Sequence, residues 1–162
     1  MFTLARATTG SKAELHATLI AQAQGLFEGE RAALANSANL AALVYHTLPD
    51  LNWAGFYWMN GAELVLGAFQ GKPACVRIAL GRGVCGTAAA EKRTVIVPNV
   101  HEFPGHIACD SASQSEVVVP VVRGGSVLGV LDLDSPRLGR FDAQDARALE
   151  KLVATFVAAT DL

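Results

Sequence analysis

A chain of 162 residues, half of them apolar and 17% charged, carries enough apolar side chain to bury one core, which excludes a disordered chain. A net charge of −2 without a basic cluster lacks the electrostatic footprint of a nucleic-acid binder. The opening "MFTLARATTG" has no apolar run of signal-peptide type and no segment approaches a membrane span, so a soluble cytoplasmic protein is expected.

Residues 12–27 place Leu15, Leu19, Ile20 and Ala23 along one helical face, and residues 30–48 place Leu40, Leu43, Val44 and Leu48 along another, ending at Pro49 and Asp50. The period then changes. Segments 51–59, 63–69 and 75–80 are rich in β-branched and aromatic residues and read as strands, with "NGA" as the first hairpin turn. Residues 84–92 read as a short alanine-rich helix and 93–100 as a strand. The polar stretch "HEFPGHIACDSAS" (101–113) reads as a loop. Residues 115–134 form a second hairpin turning at Arg123–Gly125, in which Pro120 requires an edge or a bulge. The last helix, 142–160, has Asp142 as N-cap, Asp145 three residues on, and a stripe of Leu149, Leu152, Val153, Phe156 and Val157. The expected class is α+β. About six antiparallel strands carry the terminal helices on one face and the loop with the short helix on the other.

Three cysteines in a reducing compartment are expected to be free, metal-bound or redox-active rather than structurally bridged. Their separations of 10 and 24 residues provide no Cys-x-x-Cys pair, which weakens a zinc reading. Cys85 falls near the start of the short helix, where the helix dipole favours thiolate; the competing reading is a small residue packing helix against sheet. Cys109 lies in the polar loop with no regular element to pack it, and loops over a rigid scaffold are where reactive groups sit. His101 and His106 of the same loop read as loop structure or local polarity.

Asp132 and Asp134 alternate with leucines on one strand and so share a face, and Glu116 on the partner strand comes near level with them. Three carboxylates on a covered face repel, so at least one is expected to hold its proton near neutral pH. Trp53, Gly55 and Tyr57 share a strand face as a candidate ligand wall, with Phe56 and Trp58 on the other.

"GRGVCGTAAAEKRTVIVPNV" resembles the GAF-domain pattern. Together with "PNVHEFPGHIACDSAS", "SEVVVPV" and "GVLDLDSP.....FD" in that order, the chain resembles the free methionine-(R)-sulfoxide reductases, from about Trp53 to Phe141. Asn99 departs from the family's aspartate at the strand corner. The resemblance implies a single GAF domain over 1–162, with helices in 1–49, sheet and pocket in 51–134, and the closing helix in 142–160. It implies Cys109 as the cysteine that attacks the sulfoxide, Cys75 as its disulfide partner and Cys85 as an auxiliary thiol. Glu116, Asp132 and Asp134 match the substrate-binding acids, and Trp53 and Tyr57 the aromatic wall. It further implies no metal or organic cofactor, recharging by thioredoxin, and a homodimer with the N-terminal helices as candidate contacts. Backbone N–H groups near Gly83–Gly86 are the expected seat of the substrate carboxylate. A non-catalytic GAF sensor for a small ligand, and a zinc or redox sensor using the cysteines without turnover, are the alternatives.

Overall fold

Apolar residues recurring at helical spacing produce α1 (Lys12–Phe27), α2 (Ala33–Thr47) and, after the sheet, α4 (Ala143–Ala159) in a computed structural model that describes residues 10–107 and 110–162. The two outer helices start at full capping boxes. Ser11 and Glu14 exchange side-chain and backbone bonds at α1, as do Asp142 and Asp145 at α4. Each cap contributes about 1 kcal/mol. The second helix begins three residues later than the periodicity predicts. The Glu30 carboxylate accepts the N–H groups of Arg31 and Ala32 and so holds that stretch outside the helix.

Six strands follow: β1 (Trp53–Asn60), β2 (Glu63–Gly71), β3 (Arg77–Ala79), β4 (Val95–Val97), β5 (Ser115–Arg123) and β6 (Ser126–Ser135), with α3 (Gly83–Glu91) between β3 and β4. They form one antiparallel sheet in the order β3-β2-β1-β6-β5-β4. The expected α+β architecture is the observed one. Two strands are shorter than expected. Of the expected 75–80, residues 75, 76 and 80 stay outside β3. Of 93–100 only residues 95–97 pair as β4, which stops before Pro98, where Asn99 caps a 3-10 turn (Val100–Glu102) by accepting the His101 N–H at 3.1 Å. Asparagine in place of aspartate at this corner therefore still caps it.

Side-chain alternation divides the sheet into two faces. Phe56, Val117, Val119, Val121, Leu131 and Leu133 pack under α1, α2 and α4. Trp53, Tyr57, Val118 and Val130 face α3, which contributes Val84, Cys85, Ala88 and Ala89. Pro120 sits on β5 beyond the reach of β4, which pairs only with residues 116–118, and one residue from the register shift at Val121/Val122. Its missing N–H thus leaves no ladder bond unmade. Arg140, Lys12 and His16 converge on the carboxylate of Asp145, tying α1 to α4. Among the described residues no helix is long and apolar enough to cross a membrane.

Candidate active site

The ladder across three adjacent strands assembles the site. Asp134 pairs with Trp53 on one side and with Glu116 on the other, while Asp132 pairs with Gly55 and Val118. Alternation on β6 sends both aspartates to the α3 face, and Glu116 and Trp53 point the same way because they share a row with Asp134. All three acids are buried apart from part of Asp134.

Gly55 makes the aromatic wall possible. A Cβ there would stand 2.4 Å from the Cβ of Phe69 and 2.6 Å from Cη2 of Trp53. Without it, the Trp53 ring lies along the strand, stacked on Phe69 with centroids 5.4 Å apart and on Tyr57 at 5.8 Å. Both polar tips then reach the chain segment after β2. Trp53 donates its Nε1–H to the Lys72 carbonyl and Tyr57 its hydroxyl to the Cys75 carbonyl, each at 3.1 Å. Cys75 is disulfide-bonded and Cys85 is free. Cys109 lies outside the described residues.

The short helix closes the site from above. A Cβ on Gly86 would come 2.4 Å from the Ala79 carbonyl, so glycine lets α3 dock directly on the backbone of β3. That docking holds the Cys85 Sγ 4.0 Å from Glu116 Oε1. Here an expectation is overturned: the thiol is not activated by the helix dipole. Burial, then the nearby charges of Asp132 and Glu116, push its pKa well up, so Cys85 is a neutral thiol. Gly86 also drops out as a carboxylate donor, since its N–H goes to the Arg82 carbonyl at 3.0 Å. The first-turn amides of Gly83, Val84 and Cys85 have no acceptor within the helix.

Burial is also the leading influence on all three acids. It raises Glu116, with Asp134 adding repulsion, raises Asp132, with Glu116 adding, and raises Asp134, with Asp132 adding. The cluster therefore keeps protons that exposed carboxylates would lose. A cavity of about 40 Å³ is lined by these acids, Trp53, Tyr57 and Cys85.

Sequence reasoning passed over several further lining residues. His106, read as loop polarity, places Nε2 3.5 Å from Glu116 Oε2, and burial lowers its pKa. His101 stays exposed, away from the cavity. Behind the lining, Asn52 donates to Asp110 at 3.2 Å and Ser113 at 3.0 Å, while Lys72, itself at the cavity, reaches Asp110 at 3.2 Å. The "CDSAS" string carried the signal for Asp110 and Ser113; nothing local to Asn52 or Lys72 does, because their partners are 58 and 38 residues away.

A GAF-domain model matches residues 35–161. The chain is 51% identical over 144 residues to the free methionine-R-sulfoxide reductase of Escherichia coli, covering 89% of this chain and 87% of that one. The chain belongs to the free methionine-R-sulfoxide reductase family of GAF domains. With that family it joins the oxidoreductases. The X-ray structure of the Neisseria meningitidis reductase in complex with its substrate is 41% identical and superposes with a TM-score of 0.94 over 98% of this chain and 95% of that one. A Burkholderia vietnamiensis protein described as a putative GAF sensor is 59% identical, with a TM-score of 0.90 over 93% of this chain and 96% of that one.

Proposed function

We propose that this protein reduces free L-methionine-(R)-S-oxide to L-methionine. The observation that carries the reading is the row Trp53–Asp134–Glu116, with Asp132 beside it: a buried carboxylate cluster against an aromatic wall. The reductase name of the Escherichia coli relative supports the same reading.

In this reading the sulfoxide's methyl and sulfur lie against Trp53 and Tyr57, and ionised carboxylates hold the α-ammonium. The substrate carboxylate meets the first-turn amides of α3. A protonated carboxyl of the cluster hydrogen-bonds the sulfoxide oxygen, a role suited to an acid whose pKa is raised by burial. The Cys109 thiolate attacks at the sulfoxide group, and the substrate's S–O bond breaks as its sulfur gains two electrons. The oxygen, protonated by that carboxyl, ends on Cys109 as a sulfenic acid while methionine leaves. The Cys75 thiol then attacks the sulfenic sulfur, expelling water and forming a disulfide. The disulfide state of Cys75 supports its place in this step. An external dithiol of the thioredoxin class restores both thiols by exchange, so no bound cofactor or metal is required. Cys85, buried and neutral, serves as an auxiliary thiol rather than the nucleophile. The cytoplasm, whose poise supplies such a dithiol, is the proposed location, and a homodimer through the N-terminal helices the proposed assembly.

Selectivity for the free amino acid follows from the ammonium. A sulfoxide within a polypeptide lacks that charge and would leave the acids unpaired. A nucleotide-sensing role conflicts with the cluster, because carboxylates repel phosphates.

The test is incubation of the reduced protein with free methionine-(R)-sulfoxide and dithiothreitol, with methionine as the product measured. Absence of methionine would end the reductase reading. A substrate with a blocked amino group turning over equally well would end the ammonium argument.

A further inference from the structure

The cavity brings together a thiol and two carboxylates in a pattern that suits more than an ammonium. One ligand atom from each of Cys85, Glu116 and Asp132 lies within 4.8 Å of the others, and all three residues are buried. Cys85 Sγ is 4.0 Å from Glu116 Oε1. Asp132 is only 6% exposed and lines the cavity, yet its Oδ1 has no hydrogen-bond partner among the described residues. A buried carboxylate oxygen without a donor is costly, the more so when charged. A bound cation would satisfy it.

We propose that Cys85, Glu116 and Asp132 form an inhibitory site for a thiophilic divalent cation of the zinc class, which blocks the substrate pocket. The thiol gives up its proton on binding, and the cation takes one sulfur and two oxygens, with water as the fourth ligand. Zinc accepts sulfur at about 2.3 Å and carboxylate oxygen at about 2.0–2.2 Å, so at the tetrahedral angle a bridged sulfur and oxygen lie about 3.6 Å apart. The Cys85–Glu116 pair, at 4.0 Å, needs only a small side-chain adjustment to reach that separation. The sulfur ligand selects zinc over magnesium or calcium, which demand oxygen. A cavity of about 40 Å³ admits an ion with its water. His106, 3.5 Å from the second oxygen of Glu116, supports that ligand from behind. No electrons move; the cation occupies the place that the proposed function assigns to the substrate's ammonium, and the blocking role, though not the site, rests on that reading.

The test uses Co²⁺ as the probe, added to the oxidised protein in which Cys75 is disulfide-bonded and Cys85 is the free thiol. Expected is one bound equivalent with a thiolate-to-cobalt charge-transfer absorption, bleached by added Zn²⁺. Cys85→Ser should lose that absorption, and Asp132→Asn should weaken binding at least roughly tenfold, with circular dichroism showing that both variants are folded. Cobalt bound without the charge-transfer band, or a band that persists in Cys85→Ser, overturns the site. If the band forms as expected and free methionine-(R)-sulfoxide fails to displace the metal, the site stands and the blocking role falls. A chain that binds cobalt in this way but makes no methionine keeps the metal site and loses the reductase reading.

Discussion

The Tyr57 hydroxyl donates to the carbonyl oxygen of Cys75 at 3.1 Å, joining the aromatic wall of the pocket to the backbone of the disulfide-bonded cysteine. Tyr57 therefore does two jobs: its ring stacks beside Trp53, and its oxygen fixes the segment between β2 and β3. Tyr57→Phe keeps the ring and removes the hydrogen bond, a loss of about 1 kcal/mol. Rapid-quench measurement after sulfoxide addition should show disulfide formation slowed about fivefold, with KM nearly unchanged. A changed KM with normal disulfide formation would place the hydroxyl on the substrate instead.

Gly55→Ala should damage the site without touching an ionisable group. Its Cβ would meet the Phe69 Cβ at 2.4 Å and Trp53 Cη2 at 2.6 Å, so the stacked rings must part. Overpacking of this kind costs about 1–3 kcal/mol. A lower melting temperature and a raised KM are expected together, and an unchanged melting temperature would count against the stacked arrangement.

Glu116→Gln should separate stability from activity. The amide removes one member of a repelling buried cluster, so the melting temperature should rise. The substrate ammonium loses a charged partner worth about 2 kcal/mol, a roughly 30-fold fall in kcat/KM. A variant that is both less stable and fully active would contradict the cluster's assignment.

Stability should fall with acid through His16. Burial, the leading cause, lowers its pKa below the ordinary 6.5, against the pull of Asp145. The unfolded chain then binds the His16 proton more readily than the folded one. The contribution is present above pH 6.5 and is lost as pH falls below it. A second acid loss comes later: Asp142, held down to about 2 by Lys12, gives up its contribution between its ordinary 3.8 and about 2. Glu116, Asp132 and Asp134, with raised pKa values, contribute in the opposite direction, so each loss is read as a difference. The gap in denaturant midpoint between the wild type and His16→Asn should change below pH 6.5. A gap that stays constant with pH would remove His16 from this role.

Asp145→Asn tests the junction of α1 and α4. The Asp145 carboxylate receives Lys12, His16 and Arg140 and also closes the capping box of α4. Removing its charge leaves Arg140, 9% exposed, without its buried partner. A loss of about 3 kcal/mol is expected in equilibrium unfolding.

Much of this arrangement was legible in the chain itself. Period-2 alternation in "VLDLD" decides that Asp132 and Asp134 share a face, and the turn at Gly124–Gly125 decides that Glu116 comes level with them. Helical spacing in residues 12–27 predicts α1 to the residue, and Asp142 with Asp145 announces the start of α4. These are local properties, determined by side-chain period and capping chemistry over a few residues.

What the tertiary structure alone decided concerns charge and reach. A helix N-terminus favours a thiolate when considered by itself, but Cys85 is buried against two carboxylates, and desolvation outweighs the dipole. His106 gains its place beside Glu116, and Asn52 its place beside Asp110, from chain segments that meet only when the sheet closes. The sequence determined which groups exist and which face each occupies. Only folding set their distances and their solvent, and those two quantities control whether an acid keeps its proton and whether a thiol gives one up.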